Sequence, residues 1–156
     1  MHSLNLYVVP SSEGSCGISP YHNYNTWLDS TGSPMPFSLE GSYAEGEIIT
    51  VESWMDTHHN GHVELRLCNL GNDGTNAFTP DCFDGNTLEF VEDVVVFDQF
   101  GNEKDWPKMP ADEDHPERGY LSGGQSEGSK HTFVMRFRIP YGIVGERILL
   151  QWKYIT

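Results

Sequence analysis

Between His62 and Cys68 polar and apolar residues alternate without a break, Val63, Leu65 and Leu67 on one side of an extended chain and His62, Glu64 and Arg66 on the other. Side chains alternate across a strand with a period of two, so such a run buries one face as a β-strand. The alternation recurs at Phe133, Met135, Phe137 and Ile139, and again at Ile148, Leu150, Trp152 and Tyr154. Glu47–Met55 is a β-branched and aromatic run, and Leu88–Phe97 carries Val94, Val95 and Val96 at its centre, both compositions that suit a pleated surface. A short first strand is read at Leu4–Pro10, and no window carries a helical stripe. The strands expected to form the body are 47–55, 62–68, 88–97, 132–139 and 147–155.

Breakers separate these runs. The chain has 16 Gly and 9 Pro among 156 residues, which is turn punctuation for many short strands. Asn60-Gly61, between the second and third runs, is a hairpin signal because both residues tolerate a positive φ. Residues 69–86 and 98–130 hold no periodicity and read as long loops; one as long as the second is usually functional or an insertion. Short strands, frequent turns and no alternation with helices point to an all-β fold, an antiparallel β-sandwich of immunoglobulin or fibronectin III type with long loops. Neither a repeat nor a linker divides residues 1–156, so they read as one domain.

Lys and Arg number 9 against 23 Asp and Glu, a formal charge of -14, which repels nucleic-acid backbones and anionic membrane surfaces. No apolar run approaches the roughly 18 residues of a membrane span, and Met1–Ser12 has neither the basic region nor the apolar stretch of a leader. Cys16, Cys68 and Cys82 can supply one bridge and a leftover thiol, and counting does not choose the pair. His58-His59-Asn60-Gly61-His62 holds three of the seven histidines. A helical zinc pair from His58 and His62 is excluded, because Asn60-Gly61 breaks a helix and the flanks are strands. On a turn His58 and His59 point to different sides, so at most one or two of the three can share a metal with ligands from elsewhere. By spacing alone a solvated polar turn is the commoner reading.

Tyr43-x-x-Gly46-Glu47-Ile48-Ile49-Thr50-Val51 and Asp56-Thr57-His58-His59-Asn60-Gly61-His62-Val63-Glu64-Leu65-Arg66-Leu67-Cys68 resemble a segment of lytic polysaccharide monooxygenases and chitin-binding type-4 domains. Cys82-Phe83-Asp84, His115-Pro116-Glu117-Arg118-Gly119-Tyr120 and Ile148-Leu149-Leu150-Gln151-Trp152-Lys153-Tyr154 are similar to further pieces of that family, in the same order. The resemblance spans roughly residues 14–156 and implies an immunoglobulin-like sandwich, in agreement with the strand pattern. It also implies a copper ion held by two imidazoles and a terminal amine, a nitrogen set that suits copper. His59 falls at the second imidazole and His2 is the candidate for the first. Gln151 would approach the metal as a hydrogen-bonding catalytic group, and His62 and Glu64 would orient the ligand.

The implied activity is copper-dependent oxidative cleavage of a polysaccharide such as chitin or cellulose by a secreted protein. The alternative is a non-catalytic extracellular glycan-binding or structural module of the same fold. Cys68 and Cys82, fourteen residues apart, are expected to be bridged, with Cys16 unpaired. The family's histidine is residue one whereas His2 follows Met1, its Cys-Gly element is matched here by Cys16-Gly17, and relatives continue past Thr156. The expectation is a domain truncated at both ends. Tyr21, Tyr24, Trp27 and Trp54 are candidates to lie against sugar rings, while Trp152 and Tyr154 read as core. Asp112, Glu113 and Asp114 read as a solvated charge run rather than a calcium loop, because the spaced ligand-Gly pattern is missing.

Overall fold

The computed structural model describes residues 3–10, 22–23, 28–29, 31, 39–71, 80–123 and 130–156. Over them the chain is all-β: β1 (Ser3–Pro10), β2 (His22–Asn23), β3 (Leu28–Asp29), β4 (Gly41–Ala44), β5 (Ile48–Met55), β6 (His62–Asn69), a 3-10 turn at Pro80–Phe83, β7 (Glu89–Asp98), β8 (Gly119–Tyr120), β9 (His131–Arg138) and β10 (Gly145–Ile155). The strands expected from alternation are all present, with ends displaced by a residue or two. They form two principal sheets of the kind that make up a β-sandwich, β4-β1-β10-β6-β8 and β5-β9-β7, and β2 pairs with β3 alone. The β5–β9, β7–β9, β1–β4 and β6–β8 pairs are antiparallel. One pairing departs from the expected antiparallel pattern, since β1 runs parallel to β10, with Leu6 opposite Ile148 and Val9 opposite Gln151.

The chain divides into two compact units whose segments alternate along the sequence. The first holds Leu65–Thr87 and Pro140–Lys153 besides the N-terminal segment. Its core is Leu65, Leu67, Leu70, Phe83, Ile148, Leu149 and Leu150, all 5% exposed or less. Cys68 and Cys82 are disulfide-bonded there with their Cα atoms 5.1 Å apart, as expected. Asn69 braces the start of β10: its Nδ2–H donates to Val144 O at 2.8 Å, and its Oδ1 accepts from Gly71 N–H at 2.8 Å.

The second unit holds Ile48–Glu64, Leu88–Ile139 and Tyr154–Thr156. Its centre is β9, paired along its whole length with β5 on one edge and β7 on the other. Phe133, Met135 and Phe137 point inward and are at most 1% exposed. Opposite Phe137 stand Ile49 and Phe90, and the Phe90 and Phe137 rings meet edge-to-face with centroids 5.5 Å apart. Gly119 lies against this cluster; a Cβ there would come within 2.9 Å of Met135 Sδ and 3.0 Å of Phe90 Cδ2. On the outward face Arg136 pairs with Glu92 at 2.6 Å and Arg138 with Glu89 at 3.2 Å, exposed pairs that contribute little to stability.

Strand β7 does not keep a period of two. Its register against β9 slips between Phe90 and Glu92 and again between Asp93 and Val95. Each slip is a bulge that adds one unpaired residue and turns the next side chain over. Phe90, Asp93 and Val96 are buried in consequence, and an acid takes an inward position. The Asn60-Gly61 signal also acts differently from expectation. Both residues have positive φ, 63° and 81°, as a primed turn requires. Yet β5 pairs with β9 while β6 pairs with β8, so the turn passes the chain between sheets rather than closing a hairpin.

Phe137→Ala is expected to cost about 3–5 kcal/mol, because it empties a site with no solvent access; urea unfolding measures it, and a loss under about 1 kcal/mol contradicts the assigned core. Thiol counting on the denatured, unreduced chain is expected to find one free thiol of three, and three would refute the bridge.

Candidate functional site

The segment Asp56–Gly61 carries the histidines, and the structure separates them by environment. His59 is exposed, whereas the neighbouring His58 is fully buried, in agreement with the expectation that the two point to different sides. The His59 backbone N–H donates to Tyr154 Oη at 2.7 Å, and the same hydroxyl donates to Asn60 O at 2.8 Å. Gly61 O accepts from Leu121 N–H at 3.1 Å. A Cβ on Gly61 would collide with the backbone oxygen of Ile155, so only glycine lets the turn lie against the end of β10. Tyr154 is not the plain core residue that its alternation suggests. It is half-buried, with its hydroxyl engaged by the turn, the division of labour a tyrosine's apolar body and polar tip allow.

Behind the turn His58 packs edge-on against Phe133, ring centroids 5.2 Å apart, with Trp106 at 6.4 Å and His131 at 6.3 Å. Neither ring nitrogen of His58 has a hydrogen-bond partner among the described residues, nor does His131 Nδ1. Burial above all, and then the neighbouring His131 and His59, push the His58 pKa down, which keeps the imidazole neutral. His62 Nε2 and Glu64 Oε1 are 3.1 Å apart on β6, and both residues are buried. The two are therefore not an ordinary surface pair. Strand β6 has neighbours on both edges, and the Tyr120 ring lies 5.5 Å from the His62 ring.

Of the remaining expected residues, Gln151 is buried on β10 in the first unit. His2, Cys16, Tyr21, Tyr24 and Trp27 lie outside the described residues. Trp54 is 59% exposed on the outward face of β5 with Lys130 Nζ 5.0 Å over its ring. Glu113 and Asp114 in the acidic segment are exposed, as a solvated charge run expects, and the segment is also locally ordered. Asp112 Oδ1 accepts from Asp114 N–H at 3.0 Å and Oδ2 from the Tyr120 hydroxyl at 3.0 Å, and the Tyr120 bond holds the Asp112 carboxyl below its usual range.

The donor chemistry can be tested against copper. An exposed imidazole on a turn tied at two backbone atoms suits that metal as one ligand. Among the described residues no group of three or more His, Cys, Asp or Glu gathers in a metal-holding arrangement. The other donors implied for such a site, the His2 imidazole and a terminal amine, belong to the segment outside them.

Residues 5–156 match the family described as lytic polysaccharide mono-oxygenase, cellulose-degrading. The chain belongs to that family. No curated protein is found that matches it. Among the described residues no helix is long and apolar enough to cross a membrane.

The sequence marked Tyr154 only as core and gave no signal for Trp106, His131 or Asp93. Asp93 is buried beside a pocket lined by Val94–Val96, Lys104–Lys108 and Ser122. Burial raises its pKa from 3.8 to about 6, against the pull of Met109 N–H, which donates to Oδ2 at 2.8 Å, and of Lys108. No local signal marks it, because a bulge rather than the residue pattern turned it inward. The folded protein keeps a proton on Asp93 that the unfolded chain releases above pH 3.8, so the contribution of this one group to stability is fully present below pH 3.8 and is lost as pH rises to about 6. A tenfold difference in proton affinity corresponds to about 1.4 kcal/mol, and solvent access from the pocket reduces the total to about 1–2 kcal/mol. Asp93→Asn retains an acceptor for Met109 and is expected to abolish this slope; unfolding by urea between pH 4 and 6 measures it, and a slope as steep as that of the wild type refutes the assignment.

Proposed function

We propose that the chain is a secreted, copper-dependent polysaccharide monooxygenase that oxidatively cleaves a chain such as cellulose or chitin. The observation that carries this reading is His59, an exposed imidazole on a backbone-anchored turn, at the position where the family pattern puts a copper ligand. His59 and His2 would hold the metal together with a terminal amine. When bound, copper supplies the one-electron chemistry that activates an oxygen species toward a sugar C–H bond. What the protein contributes is placement. The Asn60-Gly61 turn presents His59 outward, and the His62–Glu64 pair stiffens the start of β6 three residues further on. Exposed Trp54 offers an aromatic face of the kind that packs on pyranose rings. The Cys68–Cys82 bridge accords with an oxidising, extracellular compartment.

Copper titration followed by calorimetry is expected to show one site that His59→Ala weakens more than about tenfold, since loss even of groups that only orient a ligand costs about 10–100-fold. Full affinity in that variant moves the site elsewhere. A form that begins at His2, given copper, a reductant and peroxide, is expected to release oxidised oligosaccharides detectable by mass spectrometry. Binding to the polysaccharide without oxidised products would favour the non-catalytic glycan-binding module.

A further inference from the structure

We infer that Tyr154 is a positioning residue for the metal-binding turn, acting through its hydroxyl on the backbone that carries His59. The inference rests on the reading of His59 as a metal ligand. Tyr154 is 95 residues from His59 in sequence, and its one hydroxyl closes two contacts on consecutive residues, accepting from His59 N–H at 2.7 Å and donating to Asn60 O at 2.8 Å. The roles are complementary: a phenol has one proton to give and lone pairs to receive one, and both capacities are used.

The geometry makes this a clamp on the ligand's backbone rather than on its ring. An imidazole reaches its metal through two side-chain torsions, and those can select one direction only if the Cα–Cβ bond is itself fixed. Within the turn, Asn60 and Gly61 hold positive φ, 63° and 81°, the signs that a type I′ turn has at its two central residues. On the far side of that pair, Gly61 O is tied to Leu121 N–H at 3.1 Å, and the close approach of Gly61 to the Ile155 backbone leaves no room for a Cβ. On the near side, Tyr154 is the group that ties the His59 N–H. His59 is exposed, so the packing that sets an ordinary core side chain does not set this one. Strand β10 thereby helps determine where the ligand sits without donating to the metal.

The test uses the full 156-residue chain and three forms of it: wild type, Tyr154→Phe and His59→Ala. Tyr154→Phe keeps the ring and removes only the hydroxyl. It is expected to fold, to bind Cu(II) about five- to tenfold more weakly, as loss of a shared hydrogen bond implies, and to broaden the electron paramagnetic resonance spectrum of the bound Cu(II). Its His59 amide is expected to exchange with solvent about tenfold faster than in the wild type, which a merely structural role for the ring would leave unchanged. Unchanged Cu(II) affinity and spectrum in folded Tyr154→Phe overturn the inference. So does a wild-type His59 amide that exchanges as fast as in an unstructured peptide, a measurement that needs no variant. Equal Cu(II) binding by wild type and His59→Ala instead overturns the functional reading, so the two failures are told apart by which variant leaves binding untouched.

Discussion

The pairing of β9 along both its edges is the constraint from which the second unit follows. With β5 and β7 hydrogen-bonded on either side, β9 cannot rotate, and its alternate side chains are committed to one face. That face carries Phe133, Met135 and Phe137, three large apolar groups whose burial stabilises the unit by several kcal/mol. Everything that approaches the face must fit the volume they leave. Gly119 is small because Met135 and Phe90 already crowd its Cβ position, and His58 lies edge-on to Phe133 at the start of that face. The turn bearing His59 is therefore anchored from within by the residue just before it.

A neutral imidazole at full burial stands directly beside an exposed one, an unusual use of two adjacent histidines. The peptide geometry accounts for it: in an extended segment consecutive side chains point to opposite sides. One histidine joins the core and the next is free to meet a ligand. The bonds from Tyr154 then add a constraint from outside the turn, on two of its main-chain groups.

The alternating runs made β6, β9 and β10 legible, because burial of one sheet face imposes a period that the sequence must display. The positive φ values of Asn60 and Gly61 were legible for the same kind of reason, being local and steric. The hairpin inferred from them was not correct, because a turn's conformation does not say which strands pair across it. Asp93 escaped notice because two bulges shift the phase of β7, and a bulge depends on the partner strand. The burial of His62 and Glu64 was not legible either: alternation marks one face as apolar, but a strand with neighbours on both edges can have its polar face covered as well.

What the sequence by itself determined is the all-β class, the position of most strands, the bridge between Cys68 and Cys82, and the family pattern that singles out His59. Each depends on residues near one another in the chain or on a motif read in order. What only the tertiary structure decided is that His58 packs fully buried behind the turn, which acid is buried, and that Tyr154 holds the His59 turn from 95 residues away. These depend on which strand ends meet, and a hydrogen bond between distant segments leaves no periodic trace in the chain that forms it.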